Sequence, residues 1–170
     1  MSTSWPEAGG QLTGGPWAGA FWFSLDGPVQ SKSNYRQDAR SRTRWATHTG
    51  YELRVHTAAV KALPTGWDPG RRDQALADRP RMAVFCYATS LLDVGNVNKS
   101  IMDALQGRVM VNDNQVAAAM EVGTRDRLGQ GVLVAVAALA PGASPTATAA
   151  AVAALAAGAL DAFTTTLLTP

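Results

Sequence analysis

Met82-Ala-Val-Phe-Cys-Tyr-Ala-Thr-Ser90, then Val94-Gly-Asn-Val-Asn-Lys-Ser-Ile-Met-Asp-Ala-Leu105, then Gln115-Val-Ala-Ala-Ala-Met-Glu-Val-Gly-Thr124: these three runs decide the fold. The first is apolar and β-rich and reads as a central strand. In the second the period becomes helical. Val94, Val97, Ile101, Ala104 and Leu105 form one apolar stripe, while Asn96, Lys99, Ser100 and Asp103 fall on another face. Gly107 ends that helix. Arg108–Val111 reads as a short strand, Asn112-Asp113-Asn114 as a turn, and Gln115–Thr124 as the next strand. Gly131–Leu139 reads as a further strand. Strand, helix and strand in succession predict an α/β (α+β) domain, with a mixed sheet flanked by helices.

Working outward, Phe21–Leu25 reads as a strand closed by the turn Asp26-Gly27-Pro28. Residues 43–62 read as a helix stopped by Pro64, and 65–80 as a loop. Gly9, Gly10, Gly14 and Gly15 with Pro6 and Pro16 mark residues 1–19 as a flexible arm. From Pro141 onward the chain is Ala/Thr/Pro-rich. Residues 141–170 read as a low-complexity tail, with an Ala-rich helix available over 147–163. The folded domain is then 20–140, and loss of the tail should cost little stability.

At 170 residues, 46% hydrophobic and 16% charged, the chain has material for one core and is not disordered throughout. The single cysteine, Cys86, rules out an internal disulfide framework and a Cys-rich zinc site. It reads as a buried thiol. No basic, apolar-cored leader opens the chain, and the alanine stretch near its end is a poor membrane inserter. A cytoplasmic protein with no membrane partner is the expectation. The net charge is only +2, but Lys32, Arg36, Arg40, Arg42 and Arg44 stand against one acid, Asp38, within thirteen residues. That segment can contact phosphates, or it is a solvated helix face. Arg71, Arg72, Arg79 and Arg81 can extend it. Trp45 and Trp67 either stack on unpaired bases or pack in the core.

Carboxylates and carboxamides are dense between residues 93 and 114. Asp93 falls between strand and helix, Asp103 on the helix's polar face, and Asp113 in the following turn. Oxygen ligands of this kind suit Mg²⁺ or Mn²⁺, and Lys99 can bring a fixed positive charge to the same rim. Each acid also has a plain structural reading: Asp93 as a helix N-cap and Asn112–Asn114 as a hairpin turn.

Asp93, Asn96, Lys99, Asp103 and Leu105, followed by Asp113, Gln115 and Val116, resemble the RusA family of Holliday-junction resolvases. The pattern there is Asp-x-Asp-Asn-x-x-Lys-x-x-x-Asp-x-Leu, then Asp-Asp-x-Gln-Val. The turn at Gly27-Pro28 before the basic segment is a weaker likeness. The resemblance covers roughly residues 20–140 and departs at two places: Gly95 and Asn112 stand where the family has aspartates. It implies a homodimeric endonuclease that binds four-way DNA junctions and makes paired nicks with Mg²⁺. Asp93, Lys99 and Asp113 would be catalytic; Asp93, Asp103 and Asp113 would hold metal. Asn96 and Asn112 would support them, and Lys32, Arg36, Arg40, Arg42 and Arg44 would bind DNA. Two alternatives stand beside it: a junction-binding protein of the same fold that lost catalysis through Gly95, and an unrelated structural α/β protein.

Overall fold

The computed structural model describes residues 4–30, 35–37, 44–46, 49–92, 94–125 and 129–168. Its main sheet holds β1 (Gly9–Leu12), β2 (Trp17–Asp26), β5 (Met82–Thr89), β6 (Val116–Thr124) and β7 (Gly131–Leu139), in the order β1-β2-β7-β5-β6. Only β5 and β6 run parallel; every other neighbouring pair is antiparallel. A parallel pair needs a crossover, and the helix α2 (Val94–Leu105) supplies it. A separate ribbon pairs β3 (Tyr35–Gln37) with β4 (Arg44–Ala46). The helices α1 (Thr49–Ala62) and α3 (Pro145–Leu168) complete the domain.

Helices cover both faces of the sheet, which explains the near-continuous apolar strands. Phe21, Phe23, Val84, Cys86 and Val134 face α1 and α2. The alternate positions, Trp22, Phe85, Leu133, Ala135 and Ala137, face α3. Alanines on β7 meet Ala151, Ala156 and Ala159 of α3, so helix and sheet approach closely. Length and hydropathy alone would let α3 cross a bilayer. Here its stripe of Ala151, Val152, Leu155, Ala156, Ala159 and Phe163 is buried on the sheet instead.

The structure corrects several expectations. Residues 141–170 are not a loose tail; they contain a 24-residue helix that closes one face of the core. The supposed arm contains β1 and is tied down beyond it. Trp5 stacks on Tyr87 and packs against Phe163, and its Nε1 donates to Gly129 O at 2.8 Å. Gly9 lies where a Cβ would meet Trp22 O at 2.9 Å, so β1 needs glycine there to sit against its neighbours. The helix read over 43–62 begins only at Thr49, because Arg44–Ala46 pairs with β3. The central strand read at Met82–Ser90 is borne out: β5 is an inner strand, between β7 and β6. Arg108–Val111 is not a strand: Gly107, at φ +99°, turns the chain, and only a lone bridge joins Gln106 and Met110.

Cys86 is fully buried, as its apolar run predicts. Burial, and next the negative charge of Glu121, push its thiol up to about 12 from an ordinary 9.0. Burial also raises the Tyr51 phenol, with the Cys86 charge adding to it and Arg54 opposing. Both groups stay neutral in the folded chain at a pH where the unfolded chain ionises. Stability is therefore fully present below about pH 9 and should fall as pH rises toward 12, by up to about 1.4 kcal/mol per pH unit per group. Urea midpoints measured across that range check this. Cys86→Ala should flatten the decline, and an unchanged slope in that variant would refute the assignment.

Candidate active site

The parallel pair β5–β6 has two ends, and the residues of interest divide between them. At the carboxyl end, Ser90 N donates to Thr124 O at 3.0 Å and joins the strand ends. A cleft of about 280 Å³ opens there, lined by Ser90, Leu92, Val97, Gly123, Thr124 and Arg125. The amino-terminal half of α2 borders it. The carboxyl edge of parallel strands, beside a helix N-terminus, is where α/β sheets commonly hold anionic ligands.

On α2, Gly95 and Asn96 are exposed in the first turn and Lys99 is exposed one turn later, with no ion pair among the described residues. The first turn of α2 carries no acidic residue. Asn98 is only 8% exposed; its Nδ2 donates to the Glu121 carboxylate on β6. Its Oδ1 is buried and has no hydrogen-bond partner among the described residues. Glu121 is the one charged residue of β6. Asp93 lies outside the described residues.

Asp113 stands at the opposite end. It opens a single 3₁₀ turn, Asp113–Gln115, just before β6, at the level where Val116 pairs with Met82. The rise per strand residue puts about 25 Å between that level and Thr124. Asp103 lies toward this end too, in the last turn of α2, where Gln106 Nε2 donates to it at 3.3 Å. Asn112 acts as the N-cap: its Oδ1 accepts from Asn114 N at 2.9 Å. The turn is held by Gln115, which is fully buried and fully satisfied. Its Oε1 accepts from Val111 N at 2.7 Å and Asn112 N at 3.1 Å. Its Nε2 donates to Pro69 O at 2.8 Å and Pro80 O at 2.9 Å.

Among the described residues no three His, Cys, Asp or Glu side chains converge on a point. The donors that meet between α2 and the middle of β6, the Glu121 carboxylate and the unpartnered buried amide oxygen of Asn98, are nevertheless those a hard divalent ion prefers. The sequence model of Endodeoxyribonuclease RusA matches residues 29–136, nearly two thirds of the chain.

The chain belongs to the RusA family. The family is one of junction-resolving endodeoxyribonucleases that act on branched DNA with a divalent metal. No curated protein matches the chain. The RusA match takes in β5, α2, β6 and most of β7, the elements that build both ends described above.

Of the basic segment, Lys32, Arg40 and Arg42 lie outside the described residues. Arg36 and Arg44 belong to the β3–β4 ribbon, at register positions opposite Trp45 and Gln37. Arg71 pairs with Asp73 at 2.5 Å, and Arg79 braces the loop by donating to Arg72 O and Gln74 O. Trp67 packs edge-on against Phe21 and donates to Val109 O at 2.9 Å, which is core packing. The sequence reading missed Asn98, Glu121 and Arg125. A lone carboxylate in an otherwise uncharged strand was the available signal for Glu121.

Proposed function

We propose that this RusA-family chain is a Mg²⁺-dependent endonuclease that resolves four-way DNA junctions by paired nicks. The match of the family over residues 29–136 carries the reading. Mn²⁺ would serve in place of Mg²⁺. Asp93, which precedes α2 in sequence, and Asp113 would hold the metal, with Asp103 assisting. A divalent ion bound there lowers the pKa of a water and screens the phosphate. Lys99 supplies a fixed positive charge for the phosphoryl oxygens as charge builds on them. Asn96 orients a water or ligand. Arg125 and the N-terminus of α2 offer the cleft a favourable potential for a phosphate. The basic segment 32–44 gives affinity without reading sequence.

The distance between Asp113 and the α2 end of β6 favours a homodimer. β6 is a free edge of the sheet, nine residues long with a single charge. Such an edge is a template for pairing. Antiparallel pairing of two β6 strands about a two-fold sets the start of one beside the end of the other, and so sets Asp113 of one copy near Lys99 of its mate. A C2 dimer also presents two sites to a near-symmetric junction.

A labelled four-way junction, incubated with and without Mg²⁺, tests the activity. Lys99→Met should lower kcat by about 10²–10³-fold, the usual loss for one transition-state donor. Asp113→Asn should abolish cutting while leaving junction binding intact. Mixing these two inactive proteins tests the shared site: heterodimers regain one intact site if Asp113 acts across the dimer, and none if it acts within its own chain. Gly95, which leaves the first turn of α2 without a carboxylate, favours a second reading as a non-cutting junction binder. Salt-sensitive binding with no nicking at any metal concentration would select it.

A further inference from the structure

The family pattern has an aspartate where this chain has Gly95, and the structure offers a carboxylate from a different element nearby. Glu121 projects from β6 on the α2 side of the sheet and accepts from Asn98 Nδ2. Asn98 lies one turn along α2 from Gly95. We propose that Glu121 and Asn98 form a divalent-cation site that supplies the carboxylate missing at Gly95. The inference rests on the nuclease reading for its purpose but not for its chemistry.

Two independent observations support it. The first is the position of Glu121: an edge strand otherwise made of Val, Ala, Met, Gly and Thr spends its one charge here. The second is the orphaned oxygen. Asn98 is more than nine-tenths buried, and its amide is engaged on one side only. Turning the amide over would press its oxygen on the carboxylate, so the pairing itself assigns Nδ2 to Glu121 and leaves Oδ1 unpartnered. A buried amide oxygen without a donor is costly. A hard cation satisfies it, and the adjacent carboxylate provides the charge such an ion needs. Water fills the remaining positions, as Mg²⁺ readily allows.

The site also predicts how Gly95 can be changed. Gly95 is inside α2, so its backbone is helical and accepts an aspartate. An acid there would also favour the helix N-terminus.

The test uses the full chain without DNA and Mn²⁺ as the probe, read by the electron paramagnetic resonance signal of free Mn²⁺ and by melting temperature. Glu121→Gln should weaken Mn²⁺ binding by about tenfold or more, the usual loss for one ligand or its support. Its melting temperature without metal should stay close to that of the parent. Adding Gly95→Asp to Glu121→Gln should restore the binding. Asn98→Asp should go the other way: lower melting without metal, because two carboxylates then face each other, and a larger rise with Mn²⁺ than the parent shows. Unchanged Mn²⁺ affinity in Glu121→Gln, or Asn98→Asp that Mn²⁺ does not rescue, overturns the proposal. Junction cutting separates the two readings. Parent protein that binds Mn²⁺ through Glu121 but never cuts leaves this site standing and removes the nuclease reading. Cutting with Glu121→Gln indistinguishable from parent in binding and rate does the reverse.

Discussion

Ending the chain after Ala143 should leave no cooperatively folding protein. The cut removes α3 and with it the buried Val152, Leu155 and Phe163, together with Ala151, Ala156 and Ala159. Each large apolar side chain withdrawn from water is worth about 1.5–3 kcal/mol, and Trp22, Phe85 and Leu133 on the sheet would be uncovered as well. The loss is on the order of 10 kcal/mol, comparable to the whole stability of a domain this size. Circular dichroism melts and solubility of the truncated chain check it. A milder step, Leu155→Ala, should cost about 2–5 kcal/mol in urea titrations. A truncated chain that melts cooperatively near the parent temperature would show that the sheet does not need this layer.

Gln115 is the next most sensitive single position. Its four hydrogen bonds join three backbone segments: the turn carrying Asp113, the loop at Pro69, and the start of β5 at Pro80. Gln115→Glu keeps the size and the two bonds from Val111 and Asn112. It turns the other bonds into a carboxylate facing two carbonyl oxygens in a buried place. Loss of about 3 kcal/mol or more at neutral pH is expected, since a buried charge is left without a partner. Burial and the facing carbonyls raise the carboxyl pKa in the folded state, so the deficit should shrink as pH falls and the protonated acid donates to one carbonyl. Gln115→Met loses all four bonds, by a similar total, with no such recovery. Urea midpoints at two pH values distinguish them. A cost below about 1 kcal/mol for Gln115→Glu would mean water reaches the site.

These two positions mark the limits of the sequence. The matching Gln-Val of the family pattern is legible as a motif, yet nothing in the residues says that the Gln is a brace and not a reactant. Only the approach of the Pro69 and Pro80 carbonyls, distant in sequence, decides that. In α3 the buried stripe has helical spacing, but its neighbours are also alanine, so there is no apolar–polar contrast for a periodic reading to detect. Alanine's high helix propensity made the segment helical, and the sheet's exposed face made it part of the core.

The strand, helix and strand from Met82 to Thr124 were determined by the sequence alone. There a continuous apolar, β-rich run gives way to a helical period of 3.6, polar residues break the apolar runs, and the helix α2 spans the residues that its stripe predicts. Local pattern suffices where one element's own residues alternate between core and solvent. The sequence also placed Lys99, Asp103 and Asp113 on their elements. Tertiary structure decided how far apart they stand: a parallel crossover sends α2 from one end of the strands to the other, so Asp103 in its last turn and Asp113 lie toward the start of β6 while the first turn of α2 borders the strands' carboxyl end. It also decided that Glu121 meets Asn98. That contact depends on which strand is laid beside α2, and strand order is set by long-range packing that no local period records.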